Sequence, residues 1–323
     1  MSNDYQLVQL ANGEKTLFSA GYGEKMHPGL GPQAEAELLY VRQLKIRERL
    51  ETHRGEFIIW DVGLGAAANA IAALRATREI AGELRLVSFD NTSEPLAFAL
   101  KNSAALGYVT GYEDQIAELL RERRVKFENG KLKVTWRFCL GDFPEIVAAG
   151  ILPAVEPGIL PGGIAREKIA GLNHSEANPG GKMPPSMAGR MPAATPPPHA
   201  IFYDAFSPAK NPAMWTLPVF ENLFRALSPA LPCALTTYSR STLIRATLLL
   251  AGFFVGAGHA TGMKEETTIA ANTLDLVAEP LNARWLERAA RSNSAEPLRE
   301  PVYSRAPLSP LTAEKLRQHR QFN

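Results

Sequence analysis

The chain has 323 residues, 46% hydrophobic and 21% charged, an ordinary globular composition with enough apolar sequence for one large core or two smaller ones. A formal net charge of +2 excludes a generally basic protein while leaving room for a local basic face, and two cysteines are too few for a disulfide scaffold. The first ten residues are polar and lack an apolar signal core, and no apolar run approaches the roughly 20 residues that a membrane span needs. Neither secretion nor membrane insertion is expected, and the expected home is the cytoplasm. Cys139 and Cys233 fall within apolar runs and are expected as buried thiols.

From Phe57 onward, short apolar runs alternate with amphipathic stretches, the pattern of a parallel sheet covered by helices. Strands are predicted over residues 57–62, 85–90, 133–140, 200–203 and 234–238. Residues 253–260 and 266–271 flank a turn at Gly262 and predict a hairpin that appends an antiparallel edge strand. Residues 155–198 are rich in Pro and Gly without hydrophobic period and predict a flexible insertion that decorates the domain. A helix is predicted near residues 285–291, followed by a Pro-punctuated tail with a basic stretch at 315–320. The organisation is thus an N-terminal extension (1–56) packed on an α/β, Rossmann-like catalytic domain (57–272) with a mostly parallel sheet and helices on both faces, then a C-terminal tail (273–323).

The first predicted strand runs into Gly63-Leu64-Gly65 and a helix-forming stretch from Ala70. Glycine after a buried strand permits a tight turn, and the following helix N-terminus offers free N–H groups and a positive dipole, which together suit a nucleotide-like ligand. Alone, such a Gly-x-Gly is weak and reads equally as an ordinary strand-to-helix turn. Asp90 ends the second strand where a carboxylate can accept from both ribose hydroxyls of an adenosine, and Gly141-Asp142 follows the third. An NAD-linked dehydrogenase or an aminopropyltransferase would share the loop and the first acid. Residues 204–215 place an acid, Asp204, an aromatic ring, Phe206, and a proline-stiffened loop at the carboxyl edge of the sheet, an arrangement that can hold an amine. Asn211, Pro212 and Trp215 read equally well as a helix cap and a core residue. His27, His53, His174, His199, His259 and His319 show no metal-ligand spacing, so no metal is expected and no histidine receives a catalytic role.

The run Asp204-Ala205-Phe206-Ser207-Pro208-Ala209-Lys210-Asn211-Pro212 through Met214-Trp215 resembles the D-G-F-[AS]-P-x-K-N-P-x-M-W signature of the MnmC-like methyltransferases. Glu37 with Tyr40-Val41, Gly63-Leu64-Gly65 with Asn69, Asp90, Gly141-Asp142, Tyr238-Ser239, Arg245, Gly252-Phe253 and Gly262-Met263-Lys264 through Glu266 are similar to further pieces of that family, in order, over about residues 17–272. Ala67 and Ala205 stand where the family has glycine, and Glu265 where a basic residue is common. The resemblance implies a class I fold and S-adenosyl-L-methionine (SAM) as methyl donor. It implies conversion of 5-aminomethyl-(2-thio)uridine at the tRNA wobble position to its methylaminomethyl form. The alternative is the same chemistry on a small amine or another RNA. Asp204, Phe206 and Tyr238 would be catalytic. Glu37, Gly63, Gly65, Asn69, Asp90, Asp142 and Asp204 would hold the donor, and Lys210, Arg245 and Lys264 would meet the tRNA backbone or stand equally as solvated surface charge. The about 50 residues after Asn272 are too few for the oxidase half of the bifunctional family members. A stand-alone enzyme, supplied by a separate FAD-dependent oxidase, is therefore the expectation.

Overall fold

The computed structural model describes residues 4–149, 195–261 and 265–323. Most of the expected insertion, His174 and the Gly262-Met263-Lys264 turn lie outside the described residues.

The chain opens with an antiparallel sheet of three short strands, β1 (Tyr5–Gln9), β2 (Lys15–Ser19) and β3 (Glu24–Lys25). Helix α1 (Pro32–Ala36) starts on a proline, whose missing N–H would have no helical partner there, and passes through a π-helical turn at Glu37–Arg42 before α2 (Ile46–Thr52). Five βα units and a hairpin follow: β4 (Glu56–Val62), α3 (Ala68–Thr77), β5 (Gly82–Asp90), α4 (Glu94–Lys101), α5 (Ser103–Leu106), α6 (Glu113–Glu122), β6 (Arg124–Asn129), β7 (Leu132–Leu140) and α7 (Phe143–Ala149). Beyond the insertion come β8 (Ala200–Tyr203), α8 (Leu217–Ala226), β9 (Ala234–Thr237), α9 (Thr242–Leu250), β10 (Phe254–Gly258), β11 (Thr267–Ala271), α10 (Ala283–Ala290) and α11 (Pro310–Arg317).

The main sheet has the order β10-β11-β9-β8-β4-β5-β7-β6. Its five central strands, from β9 to β7, are mutually parallel and are the five predicted from the sequence. The predicted hairpin forms, with antiparallel β11 seated on β9 and β10 at the edge. The opposite edge is antiparallel β6, joined to β7 by a two-residue turn at Gly130-Lys131.

Residues of β4 alternate between two cores. Phe57 and Ile59 join Tyr40, Ile71, Leu86 and Trp136 on one face, while Ile58, Trp60 and Val62 join Trp215, Phe220, Ile244 and Leu248 on the other. Helices thus cover both faces, as buried parallel strands require. The segment expected as a tail enters the second core through Trp285, Leu298 and Leu316. Helix α10 begins where the Asn282 side chain accepts from the Trp285 N–H, and α11 where Ser309 does the same for Thr312. Cys233 is buried, which pushes its thiol up to about 12, and Cys139 is half-buried. Among the described residues no helix is long and apolar enough to cross a membrane.

Candidate active site

Strand order reverses between β4 and β8, the switch point at which open α/β sheets bind ligands. A cavity of about 440 Å³ opens there at the carboxyl ends of the strands. Register fixes its floor. Val62 pairs with Tyr203 and with Phe89, so the next residues, Gly63, Asp204 and Asp90, emerge side by side. Asp90 pairs with Leu140 in turn, placing Gly141-Asp142 beside it.

The loop after β4 is shaped by close approach. Gly63 has φ +90°, and a Cβ there would lie 2.6 Å from the Asp204 backbone oxygen. The Gly65 N–H donates to Asp90 Oδ2 at 2.9 Å, and the Thr92 N–H donates to Oδ1 at 3.2 Å. Burial raises the Asp90 carboxyl above the usual range, opposed by these backbone bonds. Each oxygen keeps a lone pair for a further donor, the pattern two vicinal hydroxyls need. Ala67, the residue in place of a family glycine, adopts φ 61°, ψ 21°, the left-handed conformation that glycine takes freely.

Asp204 follows β8 with its side chain 18% exposed. Its Oδ2 accepts from Asn69 Nδ2 at 2.8 Å, and the Tyr40 hydroxyl lies beside it from the π-helical turn. Burial and then Asp204 hold Tyr40 well above the usual phenol range. Phe206 stacks on Tyr22, with ring centroids 4.1 Å apart, and its carbonyl accepts from Trp215 Nε1. The Tyr238 hydroxyl donates to the Ala205 carbonyl at 2.9 Å. Desolvation, Asp204 and Glu24 raise Tyr238 well above its ordinary value, so both phenols stay protonated.

Of the residues expected to hold a ligand or act on it, Gly63, Gly65, Asp90, Asp142, Asp204, Phe206 and Tyr238 all line the cavity. Asn69 does not; it acts on the site through Asp204. Glu37 also stands outside the lining and pairs with Arg42 at 3.2 Å. The lining acid of that segment is Glu35, because two residues along a helix turn the side chain by about 200° and only one of the pair can face the cavity. Arg245, expected at the tRNA backbone, is 2% exposed. It donates to Thr268 Oγ1 and the Thr267 carbonyl and pairs with Glu266, tying α9 to β11. Lys210 is exposed, and Lys264 lies outside the described residues.

The roof of the cavity was not among the expected site residues. Tyr22, Glu24, Lys25, Met26, His27 and Glu35 line the cavity from the N-terminal segment, and Glu24 accepts from the Ser207 N–H and hydroxyl. Asp61 was not expected either; it is fully buried beneath the floor, accepts from Ser88 Oγ at 2.8 Å and keeps Oδ1 without a partner. An acid near the end of an otherwise apolar strand was the available signal.

The lining holds Glu24, Glu35, Asp90, Asp142 and Asp204 against Lys25 and His27. This acid excess, with apolar walls and a glycine loop facing a helix start, fits a cationic nucleoside such as SAM.

Residues 189–273 match the model of a family described as S-adenosyl-L-methionine-dependent methyltransferase. The bifunctional protein MnmC of tRNA 5-methylaminomethyl-2-thiouridine biosynthesis from Methylibium petroleiphilum is 35% identical over 96 residues, 30% of this chain and 14% of that protein. Its counterpart from Aeromonas hydrophila is 23% identical over 85% of this chain and 36% of its own length. The chain therefore spans little more than a third of these curated relatives at most. Among solved structures, MNMC2 from Aquifex aeolicus matches with a TM-score of 0.59 at 23% identity, covering 99% of this chain and 87% of that one, which shows a shared fold.

Proposed function

We propose that this chain, MnmC-like in its motifs and fold, is a SAM-dependent N-methyltransferase that converts 5-aminomethyl-(2-thio)uridine at the tRNA wobble position to 5-methylaminomethyl-(2-thio)uridine. The observation that carries the reading is the Asp204 carboxylate, fixed by Asn69 on one oxygen and exposed to an acid-lined cavity at the switch point of the sheet. The names of the curated relatives support the acceptor.

SAM, when bound, supplies an electrophilic methyl group on a sulfonium. Asp90 would hold its ribose through the free lone pairs on both oxygens, and the Gly63 to Gly65 loop would admit its methionine end. Asp142, exposed beside Asp90, would reach the adenine side.

Only a neutral amine can attack a methyl group. With Oδ2 occupied by Asn69, Asp204 offers Oδ1 to the amine, orients its lone pair and takes its proton. As the new N–C bond forms, positive charge arrives on the amine nitrogen next to this carboxylate, which stabilises it in a site partly shielded from water. Phe206 and Tyr238 act as walls, since the Tyr238 hydroxyl is engaged by Ala205 and held protonated. Lys210 stands exposed on the Asp204 loop, where it would meet an RNA phosphate. A separate FAD-dependent oxidase would supply the aminomethyl substrate, and the compartment would be the cytoplasm.

The test is transfer from labelled SAM to tRNA carrying 5-aminomethyluridine. Asp204→Asn should lower kcat by about 10²-fold or more while donor affinity stays within a few-fold. Donor binding without transfer to this tRNA would move the chemistry to another amine.

A further inference from the structure

The imidazole of His27 sits between two carboxylates supplied by distant parts of the chain. Its Nε2 is 3.8 Å from Asp204 Oδ2 and its Nδ1 is 3.8 Å from Glu35 Oε2, with 13% of the side chain exposed. All three residues line the cavity. The other oxygen of Glu35 accepts from the backbone N–H groups of Gly29 and Leu30, so the loop that carries His27 is closed on the acid that faces it. His27 itself has φ +50°, a left-handed conformation that costs a residue with a Cβ on the order of 1 kcal/mol. Backbone strain, two facing carboxylates and a position on the cavity wall coincide at one side chain.

Imidazole is the side chain whose two nitrogens can accept a proton on one side and release one on the other near neutral pH. At 3.8 Å neither contact is a direct hydrogen bond, and each closes to one with a movement of about 1 Å or through a single water. Glu35, at 17% exposure, is a route outward. The other ionisable groups lining the cavity are Tyr5, Tyr22, Glu24, Lys25, Asp90, Asp142 and Tyr238, with Tyr40 beside Asp204. Glu24 is engaged by Ser207 and Asp90 by backbone N–H groups.

We propose that His27 is a positioning residue that carries a proton from Asp204 to Glu35. The proposal rests on Asp204 taking the acceptor amine's proton. That proton leaves the amine for Asp204 Oδ1, passes through a single water to His27 Nε2 and restores the Asp204 carboxylate. The proton on Nδ1 goes to Glu35 Oε2 and from there to solvent, and exchange with water resets the tautomer. Asp204 is thereby ready for the next turnover.

The test has two arms on the full chain. In the first, ¹⁵N-histidine NMR follows the Nδ1 and Nε2 signals of His27, assigned with His27→Asn, a substitution that tolerates the same φ. Asp204→Asn and Glu35→Gln should each change the tautomer balance that these two signals report. A balance that neither variant moves overturns the proposal. In the second, His27→Asn should reduce kcat about 10-fold near pH 7 with KM unchanged, and the deficit should shrink as pH rises and the amine deprotonates unaided. A deficit independent of pH overturns it equally. A wild-type chain that methylates no such tRNA removes the acceptor reading, and the NMR arm then decides on His27 alone.

Discussion

Asp61 has no solvent exposure and leaves one carboxylate oxygen without a donor, so its charged form would stand uncompensated in the sheet. Burial raises it from 3.8 to about 8, partly opposed by the Ser88 hydrogen bond. The folded chain then holds a proton that the unfolded chain has released, across the window from about 4 to about 8. Its contribution to stability is complete below that window and is lost as pH rises through it, by an amount on the order of a few kcal/mol. Asp61→Asn should abolish this loss. Melting curves at pH 5 and pH 8 should show the wild type falling relative to the variant, and parallel behaviour would contradict the assignment. The same scale explains why two features were not legible in the sequence. A buried arginine and a surface one look alike in a sequence, and the groups that bury Arg245 sit on β11, more than 20 positions away. His27 owes its interest to Asp204, which reaches it only through the folded sheet.

The loop between β4 and α3 contains three small residues at positive φ, Gly63, Gly65 and Ala67, and magnitudes separate the roles of the first and the last. At Gly63 an added methyl meets both an unfavourable φ of +90° and the Asp204 backbone at 2.6 Å. Gly63→Ala should cost about 3 kcal/mol or more and displace Asp204, with donor binding lost in titration calorimetry. Ala67→Gly relieves about 1 to 2 kcal/mol of left-handed strain. It forfeits about 0.8 kcal/mol for a buried methyl and about 0.5 to 1 kcal/mol of chain entropy. These terms nearly cancel, so urea denaturation should show a change below about 1 kcal/mol, which is why alanine is tolerated there. Elements followed the same logic in the sequence. Of the central strands, β4 and β8 were legible as short apolar runs buried on both faces, and β7 as an alternation of apolar with polar residues. Strands β1 to β3 were not, since two to five residues each are too few to carry a pattern. The β6–β7 hairpin did have a signal, Asn129-Gly130, with Gly130 at φ +64°.

For the whole molecule, the C-terminal segment is part of the second core. The Gln321 side chain makes three hydrogen bonds, from and to the Val255 backbone and to the Leu281 carbonyl, at 2.7 to 2.8 Å. It clamps edge strand β10 to the Leu281 segment that bonds its outer edge. Gln321→Ala should lower unfolding free energy by about 1 to 2 kcal/mol with donor affinity unchanged, measured by chemical denaturation and calorimetry. A loss of donor binding would instead tie this end to the cavity. Charge and prolines hid this packing in the sequence, because a few apolar anchors, Trp285, Leu298 and Leu316, are spread over a polar stretch.

The roof of the cavity has a consequence for how the protein is made. Glu24 reaches Ser207 across 183 positions of sequence, so the first wall leaves the ribosome long before the surface it must close against. A nascent chain halted before residue 207 has no enclosed pocket, and the donor can lend it no stability. Protection by the donor during synthesis therefore begins late, once the loop after β8 has emerged to meet the strands made first.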